Sequence, residues 1–148
     1  MITRKLAAAV AGVVAAIALT LGPTAAAQVP QSIWPPCVSY AKACVQLSTN
    51  QAWLMNGGFV TYGPVPVRHG KPGYETPPGI FSVTFKNINH WSTIYDAPMP
   101  YSVFFNGGIA FHEGSLDSGS GGCVRLSREA AQTFFYTLNP GDTVQVVW

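Results

Sequence analysis

Residues Ile109 to Leu126 read IAFHEGSLDSGSGGCVRL, and the two ends of this stretch set what the fold has to bring together. Ile109 to Phe111 is a short apolar run that reads as a strand closing on His112. After Cys123, the apolar Val124 and Leu126 alternate with Arg125, which reads as a short extended piece with valine and leucine inward and with Cys123 and Arg125 on one face. Between the two ends, EGSLDSGSGG is too rich in Gly and Ser for a strand ladder and forms a loop. A strand-end imidazole can therefore meet the thiol across a loop free to turn back.

The chain holds three cysteines, and their compartment decides how they are used. It opens with Arg4 and Lys5, an apolar run from Leu6 to Leu21, then Pro23 and the small residues Ala25, Ala26 and Ala27, the charged, apolar and cleavable parts of an export signal. Residues 1–27 are thus expected to be removed, and the protein to be secreted, periplasmic or cell-wall-associated. The apolar run falls short of the roughly 20 residues of a spanning helix, so no stable membrane anchor is expected. Outside the cytoplasm thiols oxidise, so Cys37 and Cys44 are expected to form a local disulfide within residues 28–44, a Pro-containing lead that straps onto the domain through Ile33 and Trp34. Cys123 is left unpaired, and chemistry is its expected use.

The remaining composition narrows the class. A cut after Ala27 leaves about 120 residues, enough for one domain and one core. The formal charge of +2 comes from Arg4 and Lys5, because Lys42, Arg68, Lys71, Lys86, Arg125 and Arg128 are balanced by Glu75, Asp96, Glu113, Asp117, Glu129 and Asp142. No basic patch invites nucleic acid. Low charge with abundant Gly, Pro and aromatics suits a β-rich extracellular domain, expected to be a monomer.

Along the chain, Val45, Leu47, Trp53, Met55, Phe59 and Val60 alternate around the turns Asn50-Gln51 and Asn56-Gly57-Gly58, as strands joined by hairpins do. RHGKPGYETPPG, residues 68–79, reads as a surface loop leading into one strand from Ile80 to Phe85. Asn87 to Tyr101 reads as irregular, with Trp91, Tyr95, Met99 and Tyr101 covering either core or a cleft. Val103 to Phe105 and Ile109 to Phe111 form a hairpin around Asn106-Gly107-Gly108. Ser127 is an N-cap and Glu129 a first-turn acid for a helix whose stripe is Ala130, Ala131, Phe134, Phe135 and Leu138, ended by Asn139-Pro140-Gly141. Thr143 to Trp148 reads as a closing strand. The fold class is mainly β, a two-sheet sandwich or partly closed barrel with one late helix.

A thiol of ordinary pKa is mostly protonated at neutral pH, so a cysteine nucleophile needs a base or a cation beside it, and His112 and Arg125 fill those parts. Gly121 and Gly122 let the backbone N–H groups near Cys123 approach an acyl oxygen, as an oxyanion hole requires. Ser118 and Ser120 are small enough for the same crowded wall. His69 and His90 have no partner at ligand spacing and read as ordinary; no metal site and no cofactor are expected.

These residues resemble the L,D-transpeptidase catalytic domain, the YkuD-like family of bacterial cell-wall enzymes, whose signature is a strand ending in His, a loop, then Ser-His-Gly-Cys and Val-Arg-Leu. Here it stands as IAFHEGS and SGGCVRLS, and the likeness extends through GKPGYETPPGIFSV and MPYSVFFNGGIAFH over residues 45–148. The resemblance implies that Cys123 attacks the peptide bond after the third residue of a peptidoglycan stem and that His112 is its base and later its acid. It further implies that the backbone of Gly122 and Cys123 supports the oxyanion and that Arg125, Ser120 and Tyr101 contact substrate. D-alanine would leave, an amine of another stem would resolve the thioester, and carbapenem-type β-lactams would acylate the same cysteine. Two positions depart from the family pattern: Gly121 stands where a second His is usual, and Glu113 where Gly is usual. The alternative is a non-catalytic or weakly active wall-binding member of the same fold. A sortase-like enzyme would have its His far upstream, and a papain-like peptidase has Cys before His.

Overall fold

The computed structural model describes residues 11–17, 22–23 and 33–148. The chain divides into residues 1–30 and 31–148. In the first unit the described residues have no regular secondary structure, and the expected cleavage site at Ala25 to Ala27 lies outside the described residues. Among the described residues no helix is long and apolar enough to cross a membrane.

The second unit is built from nine strands and one helix among its described residues. Strands β1 (Ala43–Gln46), β2 (Gln51–Asn56), β3 (Phe59–Pro66), β4 (Gly79–Ser82) and β9 (Thr143–Val147) form one sheet in the order β3-β2-β1-β9-β4. Strands β5 (Phe85–Ser92), β6 (Ala97–Asn106), β7 (Ile109–Glu113) and β8 (Val124–Leu126) form a second sheet in that order. The pairs β1–β9 and β7–β8 are parallel. Helix α1 (Arg128–Thr137) starts at Ser127, whose hydroxyl accepts from the Ala130 N–H at 3.2 Å. Its stripe of Ala130, Ala131 and Phe134, continued by Leu138, is buried. The mainly β, two-sheet architecture with one late helix is the one expected from the sequence.

The core lies between the sheets and under α1. Val45, Leu54, Val103, Phe105, Phe111, Val124, Leu126, Phe134, Val144 and Val146 form one buried cluster. Phe105, Phe111 and Phe134 run through it as a chain of rings at 4.8 and 5.0 Å. Sheet periodicity explains the outer side of β1 and β2, where Cys44, Trp53 and Met55 point away from that cluster and are nonetheless buried, in a second cluster with Ala41. The cover is the lead segment: Cys37 and Val38 pack there, and the Cys37–Cys44 disulfide clips it down. Ile33 and Trp34 were expected to be the anchors, but both side chains are exposed; the Ile33 carbonyl accepts from the Trp53 indole at 3.2 Å.

Three local expectations are corrected. The first turn spans Leu47 to Asn50, and Gln51 already belongs to β2. Ile80 to Phe85 is two strands in different sheets: the Val83 N–H donates to the Asp142 carbonyl and the next N–H, of Thr84, to that of Phe104. The text alternates apolar and polar from Phe81 to Phe85, across the change of partner, so composition does not mark where it falls. Asn87 to Tyr101 is a hairpin, with β5 and β6 paired from Phe85↔Phe104 to Ser92↔Ala97. It looked irregular because β5 is an edge strand with little apolar alternation, and because Pro98 and Pro100 interrupt β6. Those prolines lie where β7 does not reach, so no ladder bond to it is lost.

Candidate active site

The second sheet separates core from chemistry by alternation. On β7, Phe111 enters the core while Ala110 and His112 face outward; on β8, Val124 and Leu126 enter the core while Arg125 faces outward, level with His112 in the parallel register. Cys123, just before β8, packs on the outer side against Met99, Phe104 and Ala110. His112, Cys123 and Arg125 thus line one cleft of about 410 Å³. The predicted pairing of thiol and guanidinium on one face holds.

His112 is 8% exposed, and its Nδ1 lies 2.7 Å from the carbonyl oxygen of Glu113. A carbonyl only accepts, so Nδ1 carries the proton and Nε2 keeps its lone pair as the base. Burial holds the His112 pKa below its ordinary value; the Glu113 carbonyl opposes this, and the charges of Arg125 and His90 add to the depression. Burial also pushes the Cys123 thiol up, against hydrogen bonding at Ala110 and the charge of Arg125. Both shifts favour the neutral form, of the imidazole and of the thiol. The thiol is turned to the carbonyl of Gly108 at 3.6 Å.

The loop before Cys123 is fixed by hydroxyls. Three successive carbonyls are each taken by one: Gly121 O by Tyr95 Oη at 3.3 Å, Gly122 O by Thr76 Oγ1 at 2.6 Å, and Cys123 O by Ser120 Oγ. Because a peptide is planar and trans, tying the Gly122 carbonyl to Thr76 turns the Cys123 N–H the opposite way. Gly122 takes φ +127, which a residue with a side chain rarely adopts. Arg125 braces the loop from its other end, donating from Nη2 to the Ser118 carbonyl at 2.7 Å. Glu113 sits at the cleft edge with Oε2 at 3.5 Å from Arg128 Nη1; it makes no hydrogen bond there.

Several sequence assignments change. The Gly122 N–H was expected to support the oxyanion, but it donates to Ser120 Oγ at 3.0 Å, so of the two expected donors the Cys123 N–H is the one left as a candidate. Ser120 was expected to contact substrate; it is 8% exposed and spends its hydroxyl on the loop backbone. Tyr101 was expected at the substrate and faces α1 instead: its hydroxyl accepts from Gln132 Nε2 at 2.9 Å and its ring meets Phe135 edge-on. His69 reaches the Leu47 carbonyl at 3.1 Å. His90 packs edge-on against Phe104 on the outer face, within electrostatic reach of His112, so it is less detached than its spacing suggested. Tyr95 and Met99, read from the sequence as covering either core or a cleft, line the cleft, and so does Lys71; Thr76, singled out by nothing in the sequence, ties down its loop. The 68–79 segment, RHGKPGYETPPG, read as a surface loop, and its bridges Arg68↔Arg125 and Gly70↔Ser120 depend on the fold.

Comparison with known proteins gives the same architecture. A family model described as the L,D-transpeptidase catalytic domain matches residues 41–146. Among solved structures, an L,D-transpeptidase from Stackebrandtia nassauensis is 34% identical, with a TM-score of 0.69 over 72% of this chain and 54% of that one. An L,D-transpeptidase in complex with imipenem is 24% identical, with a TM-score of 0.64 over 70% of this chain and 56% of that one. L,D-transpeptidase 3 from Mycobacterium tuberculosis, in complex with a faropenem-derived adduct, is 22% identical, with a TM-score of 0.64 over 70% of this chain and 58% of that one. At the identities of the latter two the likeness is one of fold. The chain spans little more than half the length of these structures. No curated protein matches it.

Proposed function

The chain belongs to the L,D-transpeptidase catalytic domain family, and from that membership we propose that it is an exported cysteine acyltransferase acting on peptidoglycan stem peptides. The observation that carries the reading is the joint position of His112, with Nε2 free, and the one unpaired thiol among the described residues, Cys123, in a single cleft on the outer face of the second sheet.

In the reaction, Cys123 Sγ attacks the carbonyl carbon of the third stem residue while His112 Nε2 takes the thiol proton. The oxygen of the tetrahedral intermediate draws on the Cys123 N–H, held in direction by Thr76. Collapse breaks the peptide bond, and the imidazolium returns its proton to the departing D-alanine amine. An amine of a second stem then attacks the thioester, His112 takes its proton, and Cys123 leaves as the thiol. Shifts that favour the neutral forms suit this order, since charge separates only once the acyl group is in place. The same thiol would open a carbapenem ring by the same attack, and the solved relatives with imipenem and faropenem-derived ligands support that extension.

The test is product analysis. Incubated with a disaccharide-tetrapeptide, the mature protein should release D-alanine and form a dimer joined between two third residues, and Cys123→Ala should do neither. Retention on wall material with no D-alanine release would instead favour the wall-binding reading.

A further inference from the structure

The hairpin β5–β6 turns through Thr93 to Asp96, and this turn brings Tyr95 over the catalytic loop. Its hydroxyl lies 3.3 Å from the Gly121 carbonyl, and both residues line the cleft that holds Cys123 and His112. The fit depends on the absence of a side chain at 121: a Cβ there would lie 2.0 Å from Tyr95 Oη and 2.3 Å from Cζ. The space over Gly121 is therefore already filled by a phenol from elsewhere in the chain. Tyr95 is also the odd member of the three hydroxyls on the loop. Thr76 is 1% exposed and Ser120 8%, whereas Tyr95 is 56% exposed and comes from an edge hairpin.

We propose that Tyr95 is a positioning residue for acylation of Cys123: its ring occupies the place of a side chain at 121, and its hydroxyl, donating to Gly121 O, fixes the first peptide of the Gly121-Gly122-Cys123 run. The link from contact to chemistry is covalent. The Gly121 carbonyl shares its peptide plane with the Gly122 N–H, which Ser120 receives on the other side. Thr76 then fixes the following plane, which carries the Cys123 N–H. With Tyr95 engaged, the first plane is held from both sides and the second through its carbonyl; without it the first turns more freely and the thiol reaches its attacking position less often. Because a Cβ at 121 meets the outer end of a side chain, substitution there displaces Tyr95 and leaves the loop folded. This inference rests on the acyl-enzyme reading, so its test includes a readout that needs no reaction.

The experiment is a double-mutant cycle on the mature protein with Tyr95→Phe, Gly121→Ala and the double variant, measuring acylation by imipenem through intact mass against time, together with the melting temperature and the amide resonance of Gly122. Loss of one hydrogen bond should slow acylation about 2- to 10-fold in Tyr95→Phe. The double variant should be no slower than Gly121→Ala, since both changes break one contact. Melting temperatures should stay together. Losses that multiply, or Tyr95→Phe acylating as fast as wild type, would overturn the proposal. If wild type is not acylated at all, the acyl-enzyme reading fails, and the Gly122 amide decides the contact alone: it should shift in Tyr95→Phe and in Gly121→Ala, and an unmoved resonance in either overturns the proposal.

Discussion

Thr76 Oγ1 donates to the carbonyl of Gly122 at 2.6 Å and accepts from the Gly70 N–H at 2.9 Å, so one buried hydroxyl joins the 68–79 loop to the residue before the nucleophile. Thr76→Val keeps the shape and removes both bonds. The buried Gly122 carbonyl and the part-buried Gly70 N–H lose their partner, so unfolding in denaturant should show a loss of about 1–3 kcal/mol. Acylation of Cys123 should slow as well, because the Cys123 N–H loses its fixed direction. An unchanged denaturation midpoint would mean that the Thr76 bonds are replaced by water.

The acid limb of activity follows from His112. The competent base is the neutral ring, and burial holds its pKa below the ordinary 6.5. The rate of acylation should therefore rise with pH through a midpoint below 6.5. Stability carries the same sign. The folded protein binds the His112 proton less tightly than the unfolded chain, so this contribution is present above the ordinary histidine value and is lost as pH falls from there through the folded pKa. A rate profile against pH, paired with denaturant midpoints over the same range, checks both. An acid-limb midpoint above 6.5 would contradict the account of a buried, neutral imidazole.

Phe134 is fully buried between Tyr62 and Phe111, with ring centroids at 6.3 and 5.0 Å. It fastens α1 to the inner face of the sheet whose outer face carries His112. Phe134→Ala should cost about 3–5 kcal/mol of stability. A loss near zero in urea denaturation would show that α1 does not pack as described.

The disulfide clips down the segment that buries Trp53 and Met55 on the outer side of the first sheet. For so short a loop, replacing Cys37 and Cys44 together by Ser should cost about 2–3 kcal/mol. Alkylation of the denatured protein without reductant should label Cys123 alone, and labelling at all three cysteines would remove the clip.

The sequence made His112, Cys123, Arg125 and helix α1 readable because each is signalled locally: a strand end, a leftover thiol, an alternation, an N-cap with a periodic stripe. Thr76 carried no such signal, and Tyr95 stood only as one aromatic of a stretch covering either core or a cleft. Their roles arise because two sheets deliver the 68–79 loop and the 93–96 turn to the same end of the molecule, a relation over 46 and 26 positions for their contacts with Gly122 and Gly121. Tyr101 shows the converse error. The family resemblance placed it at the substrate, but φ +56 and a helix 31 positions later turn it to α1. The division of IFSVTF between two sheets was hidden for the same reason, since a change of partner leaves no mark on alternation.

The central claim is that Cys123 forms an acyl-enzyme, and the most direct measurement is the intact mass of the mature protein after incubation with imipenem, beside Cys123→Ala and an L,D-transpeptidase that reacts. One imipenem-derived adduct on wild type, absent from Cys123→Ala, is the predicted result. Wild type left unmodified while the reacting enzyme is acylated alongside, or an adduct that persists in Cys123→Ala, would contradict it.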